Sequence, residues 1–191
     1  MGCGDGATLR ALHSPSGTFA VGVDLNSEGL KAAKALTPYA HFVCASGEQL
    51  PFRDRSFDSI ISGVALPYMD IPRALAELRR VLKPSGGLWA SLHSFRMVRR
   101  HWLRSLRALD LKDVIYRTYV LLNGVVFHFS GKVFRFALRP ARCESFQTRR
   151  GMRIALRRAG FTEEETVKFF VTTAIKPSGS EIVARSEQGQ G

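Results

Sequence analysis

Cysteine is scarce in this chain of 191 residues, and its pattern excludes two kinds of architecture. Cys3, Cys44 and Cys143 are far apart, and no two of them form a C-x-x-C pair. An odd number of widely spaced cysteines argues against a disulfide framework and against a zinc site. We therefore expect a protein of the reducing cytoplasm that holds no metal.

Long apolar runs are also lacking. The most apolar stretch, Val114–Phe129, is interrupted by Arg117, Asn123, Gly124 and His128, whereas a membrane span needs roughly 18 apolar residues. The first residues lack the charged and apolar regions of a signal peptide. Neither secretion nor a membrane span is predicted, and the length and 45% hydrophobic content are typical of one globular domain.

Acidic residues are almost missing from one part of the chain. Between His93 and Arg158 there are 16 Lys and Arg against 3 Asp and Glu, a net charge of +13, so the rest of the chain contributes −1 to the total of +12. Such a basic block attracts nucleic acid, an anionic membrane surface or an acidic substrate. Two solvated basic helix faces would explain the same composition.

Short apolar strands alternate with helices in the first 92 residues. The helices are predicted over Ser27–Leu36, with Ser27 as N-cap, and over Ile71–Leu82, where Leu75, Leu78 and Leu82 share one face. The strands are predicted at Thr18–Asp24, His41–Cys44, Phe57–Val64 and Leu88–Leu92. This alternation predicts an α/β fold, a doubly wound parallel sheet covered on both faces.

From His93 onward the pattern becomes mainly helical. Helices are predicted over Arg96–Leu109, Asp113–Leu122 and Gln147–Ala159, and Thr166–Lys176 supplies one or two closing strands. Phe127–Phe136 is compatible with a hairpin or with a broken helix. The apolar stripe of the first of these helices is predicted to consist of Val98, Trp102, Leu106 and Leu109.

These patterns predict four parts of the chain. Residues 1–92 form the cofactor-binding half of a single domain, 93–146 a basic aromatic lid or insertion, 147–176 the closing helix and strands, and 177–191 a flexible tail.

A glycine-rich loop, Gly2-Cys3-Gly4-Asp5-Gly6, follows Met1 directly. Glycines allow a sharp turn and a close ligand, and the helix that follows offers free N–H groups, so the loop predicts a nucleotide site. Such a loop normally follows a buried strand, which this sequence lacks. Asp24 lies 20 residues beyond Gly4, where a carboxylate binds both hydroxyls of a ribose. Asp5 would repel a pyrophosphate but tolerates a sulfonium and an amino group, which favours S-adenosylmethionine over a dinucleotide.

Four segments occur in an order that resembles a known family: GCGDG, VGVDL, ASGEQLPFRDRSFDSIISG and ELRRVLKPSGGLWASL. They are similar to the successive motifs of class I S-adenosylmethionine-dependent methyltransferases, above all the branch of the ubiquinone and menaquinone C-methyltransferases. The resemblance covers Gly2 to about Leu92. It implies a Rossmann-like sheet whose first, central strand is missing here, so Thr18–Asp24 and Phe57–Val64 must pair with each other or leave a gap.

The resemblance also implies the cofactor contacts. Where the family usually has an aspartate, this chain has Ser46, so the adenine amino group would lose a charged acceptor and the cofactor would bind about tenfold more weakly. Glu48 is expected to anchor the turn that follows. The implied contacts are Gly2, Gly4 and Gly6 at the methionine end, Asp24 at the ribose, Leu25, Ser46 and Gly47 around the adenine, and Ser62 and Gly63 under the methionine chain.

Catalysis by such a domain needs alignment of the reactants and, for an oxygen or carbon nucleophile, a base. His93, at the end of the Leu88–Leu92 strand, is the predicted base because it would project toward the substrate. No Asn-Pro-Pro-Tyr motif follows Gly63, which argues against amino methylation of nucleobases. We therefore expect methyl transfer to an oxygen or carbon of an apolar small molecule, with the basic block as a lid or as a surface that contacts an anionic membrane.

Three alternatives stay open at this point. An RNA methyltransferase would use the basic block on phosphates. A truncated and catalytically inactive binding module would follow from the missing strand and Ser46. A dinucleotide oxidoreductase is disfavoured by Asp5.

Overall fold

A computed structural model describes residues 1–11, 19–137, 143–161 and 166–172. Every strand pair in this part of the chain is parallel, which confirms the α/β class predicted from the alternating pattern. The elements are α1 (Ala7–Ala11), β1 (Val21–Asp24), α2 (Ser27–Leu36), β2 (His41–Cys44), β3 (Phe57–Ser62), α3 (Ile71–Val81), β4 (Leu82–His93), α4 (Phe95–Arg107), α5 (Leu111–Ser130), α6 (Arg149–Arg158) and β5 (Thr166–Thr172).

The strands form two sheets with a gap between them. One sheet has the order β1-β2 and the other β3-β4-β5, and β1 does not pair with β3. The first residues of the chain bridge the gap: the N–H groups of Gly2 and Cys3 donate to the Val23 carbonyl at 2.7 and 3.1 Å, and the Met1 ammonium donates to the Ile61 carbonyl at 2.7 Å. Of the two arrangements expected without a central strand, the chain adopts the gap.

An apolar cavity of about 220 Å³ occupies this gap. Its walls come from both sheets and from α3, and burial lowers the pKa of the Met1 ammonium at its end. Apolar side chains on the walls include Val21 and Val23 of β1, Ile60 and Ile61 of β3, and Leu78 and Val81 of α3. The space between the sheets is thus lined by apolar side chains from both of them.

The main core lies between α3 and the larger sheet. Leu75 and Leu78 of α3 are at most 1% exposed, which confirms two residues of the predicted apolar face, whereas the third, Leu82, is buried as the first residue of β4. The Asp70 side chain caps α3 by accepting a hydrogen bond from the Arg73 N–H, with Pro72 in the first turn. This packing holds the carboxyl ends of β3 and β4 in place.

A second core forms inside an antiparallel pair of helices, α4 and α5. The Trp102 indole donates to the Thr118 hydroxyl at 3.0 Å, and Val98, Tyr119 and Phe146 pack together nearby. Helix α5 runs without a break to Ser130 and ends at Gly131 in the left-handed conformation, φ 63°. The helical alternative for Phe127–Phe136 therefore holds as far as Ser130.

Three local predictions are wrong. Asn26, not Ser27, caps α2, since its backbone is extended and its side chain accepts from the Gly29 N–H. Strand β4 begins six residues earlier than predicted because the segment after α3 already pairs with Phe57 at Leu82. Leu106 and Leu109 are 38% and 84% exposed, because the packed cluster of the α4–α5 pair lies at its base rather than at its tip.

Other predictions fall partly outside the described residues. These are Thr18 at the start of the first predicted strand, residues 173–176 of the closing strands, and the tail at 177–191. Within the described part of the chain, no helix combines the length and the apolar character that crossing a membrane requires.

Candidate functional site

The three loop glycines all have positive φ angles, at which residues with a Cβ are strained. The φ values of Gly2, Gly4 and Gly6 are 66°, 50° and 80°. A Cβ on Gly2 would lie 2.2 Å from the Ala65 Cβ, whereas a Cβ on Gly4 would meet nothing within 4 Å. Gly2 thus permits close packing of the loop on the end of β3, and Gly4 borders open space that a ligand could fill.

Asp24 ties this loop to the end of β1. One carboxylate oxygen accepts from the Gly4 N–H at 2.8 Å, and the other accepts from the Asn26 N–H at 2.9 Å. Each oxygen keeps a further lone pair for a hydroxyl group, as a ribose would require. Leu25, the next residue, is 69% exposed and presents an apolar surface beside this carboxylate.

The turn after β2 approaches the same loop. A Cβ on buried Gly47 would lie 2.4 Å from the Met1 sulfur and 2.9 Å from the Met69 sulfur, so glycine is required there. The Ser46 hydroxyl accepts from the Glu48 N–H at 3.1 Å and is thereby engaged within its own turn. Its predicted role at the adenine remains untested by this geometry.

Glu48 makes two contacts with distant residues, whereas Glu77 and Arg80 hold the Leu50–Phe52 turn that it was expected to anchor. One oxygen of Glu48 accepts from the Asp70 N–H at 2.9 Å, and the other pairs with the Arg135 guanidinium at 2.8 Å. The hydrogen bond to Glu48 raises the pKa of Arg135. The turn that carries Ser46 and Gly47 is thus tied both to the start of α3 and to the segment after α5.

At the end of β3, Ser62 and Gly63 face different surroundings. Ser62 is 1% exposed, and its hydroxyl has no hydrogen-bond partner among the described residues. The Gly63 carbonyl accepts from the Ser91 N–H at 3.1 Å, and a Cβ on Gly63 would meet nothing within 4 Å. Gly63 therefore borders open space, as Gly4 does.

His93 lies at the end of β4 and is fully buried. Its ring meets the Tyr68 ring edge to face at 5.0 Å, so it lies beneath a half-exposed tyrosine and not on an open surface. Desolvation, helped by the positive charges of His101 and Arg117, lowers the pKa of His93 to about 4. The imidazole is therefore neutral at pH 7.

Glu144 is a polar neighbour of His93 that the sequence did not single out. Its carboxylate lies 3.7 Å from His93 Nδ1, and it accepts the Tyr116 hydroxyl at 2.6 Å. At 3.7 Å the two atoms are farther apart than in a hydrogen bond, and desolvation is the largest influence on the pKa of the ring. One signal could have found Glu144: it is the single acid between residues 114 and 161.

Backbone contacts hold the segment of Glu144 against β4. The His93 N–H donates to the Gln147 side chain at 2.8 Å, and the Gln147 N–H donates to the His93 carbonyl at 2.9 Å. The buried Asn123 amide donates to the Glu144 carbonyl at 2.9 Å. Tyr68 and Glu144, which sequence reasoning missed, thus join His93 at the carboxyl end of β4.

The structure brings the predicted residues together at one edge of the molecule. The glycine loop contacts Asp24 and the segment after β3, and Met1 lies next to Gly47. The Gly63 carbonyl accepts a hydrogen bond from the Ser91 N–H near the end of β4. In parallel α/β sheets the carboxyl ends of the strands form the ligand site. Fold and site together define an α/β domain with a glycine loop suited to a nucleoside-containing cofactor.

Comparison with known proteins makes this class specific. Residues 1–90 match a family described as the methyltransferase domain. Demethylmenaquinone methyltransferase of Chlorobaculum tepidum is 27% identical over 173 residues, which is 90% of this chain and 68% of that one. The 2-phytyl-1,4-naphtoquinone methyltransferase of Trichormus variabilis is 40% identical over 122 residues, 59% of this chain and 52% of that one.

A solved S-adenosylmethionine-dependent methyltransferase from Thermotoga maritima has the same fold. Its TM-score is 0.56 at 21% identity, with 85% of this chain and 62% of that chain covered. Residues 1–90 thus match the methyltransferase domain family, and the relatives named above are methyltransferases. The chain covers as little as 32% of the length of other relatives and about half of the Trichormus enzyme, so their substrates do not carry over to it directly.

Proposed function

We propose that this protein transfers a methyl group from S-adenosylmethionine to an oxygen or carbon atom of an apolar, quinone-like small molecule. The observation that carries the proposal is the hydrogen bond of 2.8 Å from the Gly4 N–H to the Asp24 carboxylate. Beside it, a Cβ placed on Gly4 or on Gly63 would meet no atom within 4 Å, so both glycines border open space. Bound there, S-adenosylmethionine supplies an electrophilic methyl group on a sulfonium.

The residues present suit this cofactor. Asp24 has acceptor sites left for ribose hydroxyls, and Leu25 offers an exposed apolar face for a flat base. Gly4 and Gly63 leave room for the methionine chain without side-chain collisions. Ser46 and Gly47 would border the adenine, and Ser62 would lie beneath the methionine chain.

On the acceptor side, His93 and its neighbours would take up the proton that the acceptor loses. A neutral imidazole can take the proton that leaves a hydroxyl or an acidic carbon as the new bond to the methyl carbon forms and the old bond to sulfur breaks. Glu144, 3.7 Å away, would stabilise the resulting imidazolium, and the half-exposed Tyr68 ring supplies an apolar wall. Two relatives named for quinone substrates support an aromatic acceptor.

Cofactor binding is tested by calorimetric titration with S-adenosylhomocysteine. We expect Asp24→Asn to weaken binding at least tenfold, because charge-assisted hydrogen bonds contribute about 1.5–3 kcal/mol each. Asp54→Asn is the matched control, since Asp54 is 70% exposed in a surface ion pair with Arg80. Failure of the parent chain to bind, or equal affinities for the two variants, would contradict the proposal.

Transfer itself is tested with radiolabelled S-adenosylmethionine and a soluble naphthoquinol. His93→Gln is expected to lower kcat about 100-fold or more if His93 is the base, with the affinity for S-adenosylhomocysteine unchanged. Because the pKa of His93 is about 4, kcat should not fall between pH 7.5 and pH 6 through protonation of this ring. A kcat equal to that of the parent chain would remove His93 from the mechanism without affecting the cofactor assignment.

A cofactor-binding module without transfer activity is the second candidate. The observation in its favour is the 220 Å³ cavity beside the glycine loop. At this cavity the start of the chain is held by hydrogen bonds from Gly2 and Cys3 to the Val23 carbonyl and from Met1 to the Ile61 carbonyl. Tight binding of S-adenosylhomocysteine with no methyl transfer to any of a panel of quinols and phenols would favour this module over the enzyme.

A further inference from the structure

The tip of the α4–α5 pair presents a group of large apolar side chains to solvent. We call residues 99–115 the hairpin tip. Leu109 and Leu111 are 84% and 75% exposed, more than any other large apolar side chain of the described residues. Leu103, Leu106 and Ile115, on the same tip, are 38%, 38% and 54% exposed. Exposed apolar groups of this kind mark contact surfaces.

The backbone at Leu109 makes its exposure more informative. The Leu109 N–H donates to the Leu106 carbonyl and the Asp110 N–H to the Ser105 carbonyl, both at 3.2 Å, which closes α4 in a Schellman turn. In this turn Leu109 has a φ of 53°, a position that glycine normally occupies because other residues are strained there. Packing within the described chain does not explain a strained leucine that is 84% exposed.

Positive charge surrounds these leucines. The hairpin tip has two acids, Asp110 and Asp113. It also has five exposed cations, which are Arg99, Arg100, Arg104, Arg107 and Lys112. Asp113 is engaged by Arg117 at 3.3 Å and by the Ser105 hydroxyl, and Asp110 caps α5 by accepting from the Asp113 N–H at 3.1 Å. The net charge of residues 99–115 is therefore +3 with histidine neutral.

We propose that the hairpin tip is a peripheral docking surface for an anionic lipid bilayer. Leucines inserted among the acyl chains gain from burial, and arginines at the depth of the headgroups gain from negative lipid charge. The positive charge of the hairpin tip favours a partner with negative charge, as anionic lipid has. The exposed and strained Leu109 favours a partner with an apolar interior, as a bilayer has. The proposal is independent of the methyl-transfer reaction.

RNA and a second copy of the chain are the other occupants of such a surface. RNA phosphates would use the arginines and would gain nothing from an exposed Leu109. A second copy would bring five further cations against the five already present, an unfavourable juxtaposition. Both are outcomes of the experiment below.

The experiment is flotation of the full chain with vesicles, without cofactor or acceptor. One set consists of phosphatidylcholine alone, and the other contains about one third phosphatidylglycerol. We expect at least tenfold stronger partition to the anionic vesicles in 50 mM salt, and loss of most of this difference in 500 mM salt. No partition of the parent chain to anionic vesicles in 50 mM salt would overturn the proposal.

Two variants separate lipid insertion from unfolding. Leu109→Gly removes the apolar group and relieves the backbone, so it should weaken partition about fivefold or more while the thermal midpoint stays the same or rises by a few degrees. Arg104→Gln with Arg107→Gln should weaken partition about 25-fold, because each cation near the surface contributes about fivefold. The matched controls, Leu36→Ser and Arg53→Gln, change exposed residues away from the hairpin tip.

Three results would overturn the proposal. The first is an unchanged partition of Leu109→Gly, which would leave the leucine without a role. The second is binding of a uridine oligonucleotide with higher affinity than anionic vesicles and with no dependence on Leu109. The third is a concentration-dependent dimer that Leu109→Gly dissolves, since the leucine would then face a second copy.

Discussion

Residues 1–92 and residues 93–158 reach a folded state by different means. The first part has 9 Lys and Arg against 8 Asp and Glu and consists of short elements joined by glycine loops and capped turns. The second part carries +13 and packs long helices around buried polar groups such as Asn123 and Glu144. The loop of three glycines with positive φ belongs to the first part, whereas hydrogen bonds between residues far apart in the chain occur in both parts.

The difference matters most where the two parts meet. His93, the first residue of the second part, is also the last residue of β4, and the Gln147 backbone and side chain pair with its carbonyl and N–H groups. The Glu48 ion pair with Arg135 spans the same boundary at the surface. Polar contacts thus join the two parts, and three measurements test how unequal their contributions to stability are.

The largest effect is expected in the gap of the first part. An extended segment of about five alternating valines and threonines, fused to Met1, is expected to fill the gap between the two sheets. An empty cavity costs roughly 24 cal/mol per Å³, so filling 220 Å³ should raise the free energy of unfolding by up to about 5 kcal/mol. The fusion also replaces a buried ammonium at Ile61 with an amide N–H. Urea denaturation measures the change.

A Gly-Ser extension of equal length is the control for this fusion. It should leave the unfolding free energy near that of the parent chain, because it brings no apolar side chains into the gap. Equal stabilities of the two fusions would show that the gap does not accept a strand, and the contrast between the two parts would weaken.

A second effect concerns His93 at the boundary. Its pKa is about 4 in the folded chain against the ordinary 6.5, so below pH 6.5 the unfolded chain binds a proton that the folded chain does not. Stability should therefore fall as the pH drops from 6.5 to 4, by about 3 kcal/mol in total. In His93→Phe, which packs on Tyr68 without buried ring nitrogens, this component should disappear.

Urea denaturation at pH 5 and pH 7.5 measures the His93 component. His41→Phe, at an exposed position, is the matched histidine control. If His93→Phe and the parent chain lost equal stability between these two pH values, the burial of a neutral His93 would be refuted.

The smallest effect is expected at the surface link between the parts. Glu48→Gln keeps an acceptor for the Asp70 N–H and removes the charge beside Arg135, whose side chain is 40% exposed. Exposed ion pairs contribute about 0.2–1 kcal/mol, so a loss of at most about 1 kcal/mol is expected. Glu28→Gln, in an ion pair with Lys31 where both side chains are more than 70% exposed, gives the reference value for a pair within one part.

Most of the first part could be predicted from the sequence because its signals are local. The bounds of α2 and β2 agree with the prediction, and α3 differs by one residue at its end. The turns of the glycine loop could be predicted, since residues with a Cβ are strained at the positive φ that these turns require. The Asn26 cap was missed because two neighbouring polar residues, Asn26 and Ser27, both suit an N-cap.

In the second part the sequence was less informative. The predicted stripe of α4 assigned Leu106 and Leu109 to the core, since helical periodicity marks a face without saying whether anything covers it. Helix α5 was predicted to be about half as long as it is, because Asn123 and Gly124 resemble an interruption. Asn123 is instead buried and bonded to Phe134 and Glu144, and Gly124 makes room for the Phe146 ring.

By itself, the sequence determined the α/β class, the turns of the glycine loop and the likeness of the first 90 residues to the methyltransferase domain family, because these depend on spacing and on backbone angles that glycine alone adopts freely. Tertiary structure decided that the two sheets stay apart, that His93 is buried and neutral beside Glu144, and that Leu109 faces solvent. Burial, desolvation and pairing depend on which distant segments meet, and no local pattern in the chain records that.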